Sequence, residues 1–140
     1  MAIQQTATNA FKTGVMNGTY NFTSGAFKIA LYNGNATLNE TTAVYTASNE
    51  ASGESYVAGG KALTVSQTPT TGTSGNVAYI SFSNVSWTGA ITARGALIYQ
   101  VGGGNPTVCV LDFGADKTST ATFTVQFPAN TNTSAIIRIA

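Results

Sequence analysis

The chain has 140 residues, 8% of them charged, with a net charge of +1, no histidine and a single cysteine, Cys109. That length suits one domain able to bury about two thirds of its unfolded surface without metal or disulfide staples. The charge balance offers no basic field for a phosphate backbone, so nucleic acid is not an expected partner, and lack of histidine removes the commonest general base and metal ligand. The polar surface must be made of Thr, Ser, Asn and Gly, which protects weakly against association with other proteins.

Residues 1–25 read as an N-terminal arm and residues 26–140 as the main domain. In the arm, Ala7, Ala10, Phe11 and Val15 fall near helical spacing behind Thr6 or Thr8 as caps, which predicts one or two helical turns before Gly14 and Gly18. The apolar side chains Phe11, Val15, Met16, Tyr20 and Phe22 need cover. Two readings stand: they pad the domain's own core, or the arm docks on a neighbouring subunit. MAIQQTATNAF has neither the charged nor the apolar region of a secretion signal, and no window reaches the length of a membrane span, so no membrane partner is expected and synthesis in the cytoplasm is.

Phe27 to Tyr32 alternates Phe27, Ile29 and Leu31 against Lys28, Ala30 and Tyr32, a half-buried strand. Positions 36–60 are mainly loop, anchored by Val44, Tyr45, Tyr56 and Val57. The acids Glu50 and Glu54 in this loop face solvent or a cation of a partner, and a loop of this length is commonly functional or covered by a partner. Lys61 to Ser66 forms the next strand, and QTPTTGTSGN a long flexible connection. Val77 to Phe82 is a strand, followed by a segment carrying Val85 and Trp87.

The centre of the fold is expected between Ile91 and Phe113, where two apolar runs flank Gly102, Gly103, Gly104, Asn105 and Pro106. Residues tolerant of positive φ followed by a proline impose a chain reversal, giving a long hairpin with both faces apolar and therefore both covered. Asp112 and Asp116 in LDFGADK read as a strand end and turn rather than an acid–base pair or calcium site. Thr122 to Phe127 and Ala135 to Ile139 close the chain as strands. Eight or nine short strands separated by Gly, Asn and Pro turns make an all-β, two-sheet β-sandwich, with a jelly-roll variant favoured by the long early connections.

No catalytic residue, metal site or cofactor emerges, so an enzyme is not expected. Cys109 lies inside an apolar run and reads as a packed thiol. Tyr45, Tyr56, Trp87 and Tyr99 suit either core packing or the stacking platform of a carbohydrate-binding module.

FKIALY at Phe27 to Tyr32, NATLN at Asn35 to Asn39, YVAGGKALT at Tyr56 to Thr64, TARGALIY at Thr92 to Tyr99, VLDFGADKT at Val110 to Thr118 and AIIRIA at Ala135 to Ala140 form an ordered set, with Lys12 and the Asn17 to Phe22 stretch before them. Together they resemble capsid cement, or decoration, proteins of tailed bacteriophages, the jelly-roll type found in Bordetella phage. The resemblance implies a virion structural protein on the outer surface of the capsid. It would bind the major capsid protein lattice, self-associate as a homodimer, stabilise the shell and carry no catalytic residue. A tail or fibre protein and a virion-surface carbohydrate-binding module are the alternatives. Phe11, Val15, Met16, Tyr20, Phe22, Glu50 and Glu54 are the candidate partner contacts.

Overall fold

The computed structural model describes residues 2–72 and 75–140. Position 1 of the expected arm and positions 73 and 74 of the expected connection lie outside the described residues. In chain order the elements are β1 (Thr6–Ala7), α1 (Asn9–Asn17), β2 (Phe27–Tyr32), β3 (Lys61–Leu63), β4 (Val65–Thr71), β5 (Ala78–Phe82), β6 (Val85–Thr88), β7 (Thr92–Gln100), β8 (Thr107–Thr118), β9 (Thr122–Val125) and β10 (Ile137–Ile139). This is the all-β sandwich with a short helix that the strand spacing predicts.

The large sheet runs β1-β8-β7-β2-β3, and against it stand a three-stranded sheet, β10-β5-β4, and the β6-β9 pair. All the strand pairs are antiparallel. The chain changes sheet between β3 and β4, β5 and β6, β6 and β7, β8 and β9, and β9 and β10, whereas β4–β5 and β7–β8 are hairpins within one sheet.

The β7–β8 hairpin is central, as its sequence demands. Gly102, Gly103, Gly104 and Asn105 all have positive φ, between 56° and 94°, and Asn105 closes the turn by accepting from the Gly102 amide through its side chain. Between Ile98↔Cys109 and Tyr99↔Thr107 one residue, Val108, is bulged. Ala96, Ile98 and Val108 lie in a core shared with the second layer, alongside Phe27, Phe82 and Trp87. On the reverse face Leu97, Tyr99 and Val110 join Ala30, Tyr32 and Leu38 in a separate cluster. Each large apolar side chain so enclosed contributes about 1.5–3 kcal/mol.

Four expectations need correction. The single strand expected over Lys61 to Ser66 is divided between β3 in the large sheet and β4 in the three-stranded one. β2 is buried on both faces rather than half-buried, because loop residues Ala36 and Leu38 cover the side carrying Ala30 and Tyr32. The stretch after Ser66 is a strand through Thr71 rather than a flexible connection. Pro69 is tolerated there because β4 is an outer strand with register shifts either side of Gln67, where a missing ladder donor costs little. LDFGADK is not a turn, since β8 continues to Thr118. Its extra residues between Asp112 and Lys117 bulge opposite the Ala93–Gly95 segment, with Gly114 at φ 83°.

Candidate interaction surface

The N-terminal segment builds one wall of an open apolar groove. Thr8 caps α1, its Oγ1 accepting from the Phe11 amide at 3.2 Å, and a fully buried Thr8–Thr107 hydroxyl pair ties that cap to β8. Gly18 ends the helix in the left-handed conformation. The expected stop at Gly14 does not occur. A glycine is needed there for space, because a Cβ would come within 2.2 Å of the Tyr20 ring.

Returning over the helix, the chain puts Tyr20 and Phe22 on Phe11, with ring centroids 5.2 and 6.1 Å away, and stacks Phe22 on Phe27 at 4.6 Å. The Tyr20 hydroxyl donates to the Thr107 carbonyl, and burial raises its pKa. Phe11, Tyr20 and Phe22 therefore pad the subunit's own core. Phe11, only 6% exposed, is corrected from a partner contact to a core residue.

Val15 and Met16 behave differently, being 41% and 82% exposed. Val15 shares a groove of about 170 Å³ with the rims of Tyr20 and Phe22, and the opposite wall carries Pro69, Tyr79 and Ile139. Ile139, half exposed at 50%, belongs to β10, whose Ile137 and Ile139 pair with Ile80 and Ala78 of β5. A second groove of about 240 Å³ lies along β10 and the Gln5–Ala7 segment, over Val108 and Cys109. The structure thus adds Ile137, Ile139, Tyr79 and Pro69 to the residues expected at this surface. Alternation in AIIRI was the available signal for the first two.

Glu50 and Glu54 belong to the loop layer instead. The Glu50 carboxylate accepts from the Tyr45 hydroxyl at 2.6 Å, the Tyr56 hydroxyl at 2.5 Å and the Gly59 amide at 2.7 Å. It is consequently corrected from a solvent- or partner-facing acid to an internal acceptor. Around it, the Tyr99 hydroxyl donates to the Gly59 carbonyl, the Tyr32 hydroxyl to the Thr46 carbonyl, and Tyr45 stacks on Tyr99 at 4.9 Å. Burial, then the neighbouring Glu50 carboxylate, raises the pKa of Tyr45 and Tyr56, since ionisation would put a second negative charge beside the first. Glu54 is exposed and lies over Gly89.

Trp87 and Tyr99 are 2% and 3% exposed, so the four aromatics considered for sugar stacking do not form an open platform. Asp112 is held by the Gly114 amide at 2.9 Å and by Arg94 Nε at 3.1 Å, both of which lower its pKa. Among the described residues no group of three or more His, Cys, Asp or Glu side chains is placed to hold a metal. Cys109 is buried, and desolvation pushes its thiol up to about 12, which leaves it a poor nucleophile. No helix among the described residues is long and apolar enough to cross a membrane.

Compared with models of known protein families, with curated proteins and with solved structures, the chain gives no match in any of the three.

Proposed function

We propose that this protein is a non-enzymatic virion structural subunit, a capsid cement protein that binds the outside of a major capsid protein lattice and stabilises the shell. The observation that carries the reading is the apolar surface at α1 and β10, where Val15 and Ile139 line an open groove while staying exposed, and Met16, next to Val15 in α1, is exposed as well. An exposed apolar patch rimmed by polar residues marks a site of protein contact. The likeness of the strand segments to phage cement proteins supplies the kind of partner.

Such a subunit works by mass action. Binding the assembled lattice alone shifts equilibrium toward it, and many modest contacts around a shell add through multivalency. The test adds purified protein to expanded, undecorated phage capsids and follows sedimentation and the temperature of particle disruption. The expected result is co-sedimentation with a raised disruption temperature, weakened when Met16→Asp and Val15→Asp are combined. Free protein left in the supernatant at saturating concentration overturns the reading.

A further inference from the structure

The groove beside β10 is bounded on both sides by outer strands. β1 ends the large sheet and β10 ends the three-stranded sheet, and the groove lined by Gln5, Ala7, Val108, Cys109, Ile137 and Arg138 lies between them. An outer strand presents a row of unpaired amides and carbonyls, the template on which an extended segment adds as a further strand. Closing this seam with one strand would cover apolar side chains of both layers.

The charge at this seam selects the occupant. Arg138, the middle residue of β10, lines the groove and is exposed. Among the described residues the ion pair is Arg94–Asp112, so Arg138 is not neutralised within the subunit. Symmetric pairing with the same strand of a second copy is disfavoured at this edge. Two β10 strands paired antiparallel about their middle residues would set Arg138 directly against Arg138, and like charges so placed are destabilising.

In an antiparallel pair, opposed side chains share a face, so the best complement to Ile137–Arg138–Ile139 reads apolar, acidic, apolar. We infer that the seam between β1 and β10 receives an extended segment of a different protein, with a carboxylate set opposite Arg138 between two apolar residues. The inference rests on the reading of the protein as an adhesive subunit and specifies the chemistry of what it holds.

The test uses the whole protein and two short peptides of alternating valine and threonine that differ only in a central Asp or Lys. Amide chemical shifts and titration give site and affinity. The Asp peptide is expected to perturb Ile137–Ile139 and Thr6–Ala7 and to bind roughly fivefold more tightly than the Lys peptide. Arg138→Glu, at an exposed position where the fold is retained by circular dichroism, is expected to reverse that order. Equal affinity for both peptides, perturbation confined to another edge, or no binding overturns the inference. Addition of wild type and Arg138→Glu to expanded capsids separates this result from the functional reading. Peptide selectivity without capsid binding keeps the strand slot and discards the capsid; equal capsid binding by both proteins with no peptide selectivity does the reverse.

Discussion

The loop layer around Glu50 and the groove beside β10 both gather aromatic and apolar side chains on the flanks of the β7–β8 hairpin, yet they end in opposite states. In the loop layer each tyrosine hydroxyl named above finds an acceptor inside the subunit, and the Glu50 carboxylate accepts three hydrogen bonds. On the β10 side Val15, Met16 and Ile139 remain open to solvent, and Arg138, in the second groove along the same strand, lacks a carboxylate. The lesson is that an irregular loop can be a finished structural layer when its polar groups are paired. A surface built on a regular helix and strand can be the incomplete one.

The sharpest way to break this comparison is to remove the acceptor at its centre. Glu50→Ala leaves two tyrosine hydroxyls and the Gly59 amide without their partner, and is expected to cost about 3 kcal/mol in denaturant unfolding. Faster amide exchange should be confined to the loop layer and its contacts with β2. Exchange unchanged over positions 44–60 would mean that the loop is held by its apolar anchors alone.

A more diffuse effect is expected from alkali. Tyr32, Tyr45, Tyr56 and Tyr99 all have pKa values raised above 10.0, chiefly by burial. A raised folded-state pKa means that the native protein keeps protons that the unfolded chain gives up. Stability is therefore full below pH 10, falls as pH rises above it, and should be lost before these hydroxyls ionise in the native state. Tyrosinate absorbance should then rise together with loss of structure; ionisation ahead of unfolding would show that the hydroxyls are not locked.

Least affected should be the open side. Val15→Ser and Met16→Ser remove exposed side chains and are expected to change stability by no more than about 0.5 kcal/mol. A larger loss would place these residues in the subunit's own packing and remove the contrast.

Much of this fold was legible because period-two alternation and turn residues report local geometry directly. FKIALY and the glycine-rich turn at positions 102–105 lie where the pattern puts them, and Thr8 is the one of the two expected caps that the helix uses. Pro69 and Gly114 misled because proline and glycine are read as breakers, while an outer strand or a bulge accommodates both. Of the candidate contacts, Val15 and Met16 are at the surface, whereas Phe11 turns inward and Glu50 is claimed by two tyrosines. Nothing in spacing distinguishes an acid on the surface from one capped by hydroxyls five and six residues away.

By itself the amino-acid order determined that the chain is built of short β-strands, that its central hairpin is covered on both faces, and that histidine-based chemistry is absent. These follow from side-chain period, turn chemistry and composition, which need no knowledge of neighbours in space. Only the tertiary structure decided which layer covers each face, that Glu50 works inside the loop layer, and that β1 and β10 leave a seam beside Arg138. Those outcomes depend on contacts between residues far apart in the chain, where burial and hydrogen-bond pairing are settled together.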